Sequence, residues 1–564
     1  MASKLSSFLA ELRRRKVYRV ATAYVIVGVG ILGAAEVILD PLGLETLRPF
    51  LVILVLLGFP IALVLAWAYE IKPEEARKVE TRGAVLAEAS TGGDRKSIVV
   101  LPFDNMSPEP GDAYFADGLT EEIITTLSHV RSLRVISRSS AMVLKGTQKD
   151  VRTIGRELDV QYVLEGSVRK AGNDLRITAQ LIDAISDEHL WAEKYDGVWG
   201  NVFEMQEQVS LSIVDALRLS LAPEEKQRLT ERPIEDVRAY ELYLMARREM
   251  WAGTADSLVR ARRHLEHGLE ILGENVVLLE GLAETHLTAY EAGVGATEAR
   301  LSDARALVDR IRVLNPDSAY GHYFMGRMER FRGSCAKATE HWRRALAVEA
   351  NHSASLSFLF HTYALQIGKP EYATPLIDQI VQQDPLNPLT WVSVFWYHMV
   401  NSELEEAEAS LRKVSSIVGP SEWWEMFDSY RLLWQDRREE ALLGIKELIA
   451  RDTPNLFTEW ASLLRAALRG ERFEVRTVFS EENWRFGWED AEAVWLIASA
   501  AAFGGQADEA LDWLEHAVDR GWINYPLFSQ SDPLLENVRK EGRFQVLMDR
   551  VKREWEAFEV RQGG

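Results

Sequence analysis

The sequence predicts a multidomain chain: a two-helix transmembrane hairpin, a small α/β domain, and an all-α superhelix of paired-helix repeats. Three observations carry this. Two apolar runs of 20 residues, 20–39 and 50–69, stand near the start. Short apolar segments separated by turn signals fill 97–200. Beyond residue 237 an alanine-centred pattern appears, and from Ala304 onward it returns every 34 or 35 residues, with one double interval of 69 and a first unit offset by 43. At 564 residues the chain exceeds what one core can hold, and about three or four domains are expected.

A basic segment, 1–19, comes first. Val20 to Leu39 holds one charged residue, Glu36, and Phe50 to Tyr69 holds none. A helix of about 20 residues, rising about 1.5 Å each, crosses a hydrocarbon core of about 30 Å. The basic start also suits a cleavable signal peptide, but a second apolar run directly behind the first favours a hairpin anchor. Gly28, Gly30 and Gly33 would let its helices approach closely, and Glu36 lies near a hydrated interface. Lys4, Arg13, Arg14, Arg15, Lys16 and Arg19 precede the first run, and Lys72, Arg77, Lys78 and Arg82 follow the second. Only Arg48 sits between them. Positive charge stays inside, so the expectation is a bacterial inner (cytoplasmic) membrane with both termini cytoplasmic.

Polar residues 70–96, with Gly92-Gly93, read as a flexible linker. "SIVVLPF" then reads as a buried strand closed by Pro102. Asp112 stands where it can cap a helix running to about His129, with Phe115, Leu119, Ile123 and Leu127 on one face. "LRVIS" is a second strand, and "DVRTIGRELDV" a short helix opened by Asp150. Alternation on both sides of Gly172-Asn173 predicts a hairpin. "HLWAEKYDG" adds a strand, and Asn201 onward returns to helix. The order over 97–200 is β-α-β-α-β-β-β-α, followed by a helical connector, 201–236.

The segment "YFADGLTEEIITTLS" raises the question of chemistry. Its "FADGLT" is superficially similar to the "F-x-D-I-x-G-F-T" opening of class III nucleotide cyclases, whose aspartate holds magnesium. Asp159 lies 42 residues beyond Asp117, near where a second ligand would be wanted. Three features oppose a cyclase. Glycine follows Asp117 directly, the domain is too small for that fold, and no later lysine, aspartate and asparagine–arginine set follows. Over Ser97 to Gly197 the chain instead resembles the TolB amino-terminal-like (FlgO-like) domain. The carrying residues are "VVLPFDNMS", "YFADGLTEEIITTLS", "LRVISRSS", "GRELDVQYVLEGSVRKAGNDLRITAQLIDA" and "LWAEKYD". That resemblance implies a small non-enzymatic α/β module, fused in bacteria to helical repeats or signalling domains. Under it, Asp117 and Gly118 shape the helix entry, and Thr120 packs or caps.

From Val237 no strand is expected. The repeating seed is alanine, a large residue four positions later and an apolar residue three beyond that. It stands at Ala261, Ala304, Ala338, Ala373, Ala407, Ala441 and Ala510, with a degenerate copy at Val475 and Phe479. Pro316, Pro385, Pro420, Pro454 and Pro526 keep the same beat. A period of about 34 residues is that of the tetratricopeptide repeat, two antiparallel helices per unit. Alanine lets the helices close and the large residue fills the seam. Met325-Gly326 holds the large-then-small position of a first helix. About eight units over 237–560 should stack into a superhelix with a concave surface. Of the 17 tryptophans, Trp391, Trp396, Trp423, Trp424, Trp434, Trp460, Trp484, Trp488 and Trp495 crowd the later repeats. They read as core before they read as a peptide groove. "SDPLLENVRKEGRFQVLMDRVKREWE" reads as a terminal helix pair that caps an exposed end.

A net charge of −20 argues against nucleic acid, because phosphate contacts need a basic face. The lone cysteine, Cys335, excludes an internal disulfide, suits a reducing compartment and reads as helix packing. No phosphate-binding loop, thiolate zinc set or G-x-S-x-G motif is present, and His264 and His267 read as surface residues of a repeat helix. No catalytic, cofactor-binding or metal-ligating residue is therefore expected. The expected function is a membrane-anchored, non-enzymatic scaffold that grips protein partners in the repeat groove, in signalling or envelope-associated assembly. Two alternatives stand beside it: a periplasm-facing envelope sensor with the same modules, and a degenerate nucleotide-handling protein using Asp117 and Asp159.

Overall fold

The computed structural model describes residues 95–558, apart from 292–293, 295–297, 420 and 452–454. Over these it is a small α/β domain followed by a mostly helical, tetratricopeptide-like superhelix. No helix among the described residues is long and apolar enough to cross a membrane. The expected fold class is corrected accordingly. A transmembrane hairpin is no part of the architecture described, and the segments on which it rested, 20–39 and 50–69, lie outside the described residues.

Strand β1 (Lys96–Val100) ends in the apolar run Ile98–Val100, buried on both faces of the sheet. It pairs in parallel with β3 (Leu133–Val135) on one side and β4 (Tyr162–Ala171) on the other. A two-residue strand, β2 (Asp104–Asn105), also pairs with β4. Gly172, at φ 61°, turns β4 back into β5 (Asp174–Asp183), and β6 (His189–Val198) closes the order β3-β1-β4-β5-β6. Helices α1 (Ala113–Ser128), α2 (Arg138–Val143) and α3 (Val151–Leu158) fall between the strands, and α4 (Val202–Ala216) follows them. Asp150 caps α3 through the Thr153 amide at 2.9 Å, whereas Asp112 makes no side-chain cap to α1. Its carboxylate lies 3.5 Å from Lys170 Nζ instead.

Asp117 and Gly118 do not shape the entry to α1. The helix begins at Ala113, so both lie inside it. Gly118 is there because the Leu244 side chain occupies the space a Cβ would need, at 2.6 Å. Thr120 hydrogen-bonds the Ala116 carbonyl at 2.9 Å and accepts from the Phe103 amide at 3.0 Å, which ties the helix to the strand loop.

After α5 (Pro223–Thr230) the helices pair: α6 (Val237–Ala252) with α7 (Ala255–Leu272), and α8 (Val276–Glu291) with α9 (Glu298–Leu314). Next come α10 (Ala319–Phe331) with α11 (Cys335–Val348), and α12 (Ser353–His361) with α13 (Pro370–Gln383). Then follow α14 (Pro388–Val400) with α15 (Leu404–Val418), and α16 (Glu422–Trp434) with α17 (Arg438–Ile449). Helix α18 (Leu456–Leu468) has a broken partner, α19 (Val475–Val478) and α20 (Glu481–Glu489), before α21 (Ala491–Phe503) pairs with α22 (Ala507–Asp519). Every seed alanine is buried on the second helix of its pair, and Val475 and Phe479 are buried in the degenerate unit. At Gly326 the Trp342 indole fills the place of a Cβ.

The α/β core does not stop at residue 237. Leu244, Ala261, Leu265, Leu278 and Leu282 of the first helices belong to the same buried cluster as Ile98, Phe115 and Ile177.

The carboxy-terminal end is not an exposed cap of paired helices. It consists of a 3-10 turn (Pro533–Val538) and one helix, α23 (Gly542–Ala557), and it packs back onto the middle of the array. Ile523 donates to Gln366 O and Asn524 Nδ2 to Leu365 O, both at 2.8 Å, at a π-helical turn (Thr362–Ile367). Trp555 donates to Gly368 O at 3.3 Å, and Cys335 Sγ to Gly521 O at 3.2 Å. Gly333 and Gly521, at φ 73° and 87°, meet backbone to backbone where a Cβ on either would overlap the other strand of chain. The superhelix is thus curled closed.

Candidate functional site

The closed array has an apolar groove of about 470 Å³ on the first helices of successive units: α12, α14, α16, α18 and α21. Helix periodicity builds it. Phe358 and His361 lie one turn apart on α12, Leu389 and Thr390 open α14, and Phe457 and Trp460 lie one turn apart on α18. Met426 and Phe427 of α16 complete the wall. The Thr390 hydroxyl is buried and has no hydrogen-bond partner among the described residues. Leu389, by contrast, is 54 % exposed at the rim.

One end of the groove is set by a junction between domain and repeats. Asp384, buried at the end of α13, accepts from Ser139 Oγ at 2.9 Å, from Ser140 Oγ at 2.6 Å and from Ser137 Oγ. The Ser137 amide donates to Gln383 O at 2.8 Å, and Arg134 to Gln382 O at 2.7 Å. Asn351 Nδ2 reaches Ser128 O at 2.8 Å. The serine run "SRSS" therefore joins the two parts. Sequence reasoning passed over its partner, because an aspartate before proline in a repeat loop reads as a turn residue.

At the groove floor His361 Nε2 lies 3.8 Å from Glu492 Oε2, and His361 Nδ1 lies 3.4 Å from Ser393 Oγ. Burial, with the Arg330 cation nearby, pulls the imidazole down to about 3. Burial, with the Asp490 carboxylate, pushes Glu492 up to about 8. Both are neutral near pH 7. A serine, histidine and glutamate in series invite comparison with an acyl-transfer triad, but the His361–Glu492 separation exceeds hydrogen-bond reach and the His361–Ser393 bond is long. A neutral carboxyl also gives an imidazolium no support. The pair makes a polar floor with Arg330 and Asp490 beside it.

Asp117 and Asp159 are not brought into one site. Asp117 pairs with Lys145 at 2.5 Å, while Asp159 ends α3 in a left-handed turn with its side chain 91 % exposed, 3.8 Å from Arg134. No group of three or more acidic, histidine or cysteine side chains among the described residues could hold a metal ion. Burial pushes the Cys335 thiol up to about 11. Trp396 and Trp495 are fully buried and Trp460 nearly so, whereas Trp488 is 40 % exposed and stacks on His516 at 3.8 Å. Trp391, Trp424, Trp434 and Trp484 are partly buried against the same core, and Trp460 also faces the groove.

A family model, the second domain of HilA/YgeH-like transcriptional regulators, matches residues 94–215. A curated protein of Rhizobium meliloti (strain 1021), "Putative adenylate cyclase 3", is 43% identical over 230 residues. That is 41% of this chain, and the match spans 39% of the length of that relative. Among solved structures, a tetratricopeptide repeat protein from Parabacteroides merdae aligns over 50% of this chain and 100% of its own, at 12% identity and a TM-score of 0.31. The LpoB carboxy-terminal domain from Salmonella enterica aligns over 20% of this chain and 90% of its own, at 20% identity and a TM-score of 0.16.

Proposed function

We propose that this chain is a non-enzymatic scaffold or adaptor whose repeat groove holds a segment of a protein partner, in bacterial signalling or envelope-associated assembly. The observation that carries the reading is the groove itself, an apolar channel crossing five first helices. A segment that offers apolar side chains to Met426, Phe427 and Phe457, and one polar atom to the Thr390 hydroxyl, fits it. The resemblance of Ser97 to Gly197 to TolB amino-terminal-like domains, often fused to repeats, supports the same reading.

A photoreactive amino acid at Leu389, on the groove rim, tests it against one at Val313, which is 82 % exposed on α9. The groove position is expected to crosslink a defined polypeptide in cells and the outer position not to. Equal crosslinking from both positions, or none from Leu389, would count against the reading.

A second reading, nucleotide handling, is favoured by the name of the Rhizobium meliloti relative. Titrating the full chain with ATP and magnesium separates the two. The scaffold reading expects no saturable binding, and micromolar binding lost in Asp117→Asn would favour the second.

A further inference from the structure

A second cavity, of about 400 Å³, lies where the α/β domain meets the first repeats. Helices α1, α4, α6, α8 and α10 and the segment 228–234 wall it. Some of its charged groups are matched. Arg247 bonds Glu121, whose other oxygen lies 2.8 Å from Arg138 Nε. Arg232 pairs with Glu207 at 3.2 Å, and Glu284 with Arg327 at 2.8 Å.

Five lining carboxyls are in no ion pair among the described residues; Glu231 and Asp317 are exposed, and three are more enclosed: Glu122 on α1, Glu280 on α8 and Glu349 just past α11. None of the three is in an ion pair among the described residues. Glu280 accepts from Ser318 Oγ at 2.7 Å. Burial pushes each of them up to about 7, with Glu121 adding to the shift at Glu122 and Glu349 adding to it at Glu280. Arg247 opposes the shift at Glu122 and Glu280, and Arg228 opposes it at Glu349.

The surface between these carboxyls is aromatic. Tyr240, Tyr243 and Tyr320 line the cavity, and Phe203 packs edge-on against Tyr240 at 4.9 Å. Glu122 is also hydrogen-bonded by Tyr243. Aromatic faces and carboxyls that lack a cationic partner together attract organic cations. An inorganic ion is the wrong occupant, because these carboxyls sit on separate elements and do not form a ligand cluster. The cavity is of small-ligand size.

We propose that this cavity binds an aliphatic polyamine, its ammonium groups on Glu122, Glu280 and Glu349 and its methylene stems against the tyrosine rings. The ligand would then bridge the α/β domain and the first three repeat units, so its binding would stiffen the junction.

Calorimetric titration of the full chain with spermidine tests this, with magnesium chloride at matched ionic strength as the control. Saturable one-to-one binding that magnesium does not reproduce is expected. The double variant Glu280→Gln/Glu349→Gln is expected to weaken it at least about tenfold. Without ligand, the melting temperature of that variant should hold or rise, because it removes carboxyls whose charge burial disfavours, so lost binding is not lost fold. The groove variant Leu389→Asp is expected to bind spermidine as the parent does. No saturable binding at millimolar spermidine, undiminished binding by the double variant, or equal competition by magnesium would overturn the proposal.

Discussion

Gly118 shows how a residue can look chemical and be geometric. Aspartate followed by glycine inside an aromatic-flanked helix invites a metal or nucleotide reading, yet the glycine makes room for Leu244 of the first repeat helix. Gly118→Ala should therefore destabilise the chain by about 1–3 kcal/mol, through overpacking against Leu244. Asp117→Asn, which removes a partly exposed pair with Lys145, should cost under about 1 kcal/mol. Denaturant unfolding of both variants checks the contrast, and equal losses would argue against it. Glu280 carries a pH signature. Because folding raises its pKa from 4.5 to about 7, its stabilising share is complete below about 4.5 and is lost as pH rises toward 7. The melting temperature of Glu280→Gln relative to the parent should thus climb between pH 4.5 and 7 and level off above. A flat difference would show that the carboxyl is not held in its neutral form.

At the scale of elements, the alternation around Gly172 and the alanine period were legible because each element reports its own burial locally. The β4–β5 hairpin, the helix pairs and the degenerate unit at Val475 all follow from residues near one another in the chain. The closure was not legible. It depends on Gly333 meeting Gly521, and on Gly368 fitting beneath Asn524, across more than a hundred residues of chain. A glycine in a loop looks the same whether it turns the chain or admits another backbone. The charged tail was read as a cap for the same reason, since its contacts lie far away in sequence. Closure also covers Cys335. Thiol reagents should therefore modify the native parent slowly, and Gly521→Ala should raise that rate at least about tenfold. Unchanged reactivity would mean that the contact does not hold the array shut.

For the whole molecule, the α/β domain and the superhelix behave as one body in two respects. Their apolar cores merge through α6, α7 and α8, and Asp384 collects three serine hydroxyls from the domain. Removing that buried acceptor with Asp384→Ala should cost about 3 kcal/mol or more, because several donors lose their partner together. If the junction were incidental, unfolding would be unaffected. Neither the groove nor the polyamine cavity could be read from the sequence. Each is assembled from at least five helices whose lining residues look like ordinary core or surface positions one by one. The central claim is that the groove grips a protein segment. It is tested most directly by titrating the polypeptide crosslinked at Leu389 against the purified full chain and against Leu389→Asp/Ser357→Asp. An affinity at least about tenfold weaker in the variant, at an unchanged melting temperature, is the predicted result. Equal affinity for both chains would contradict it.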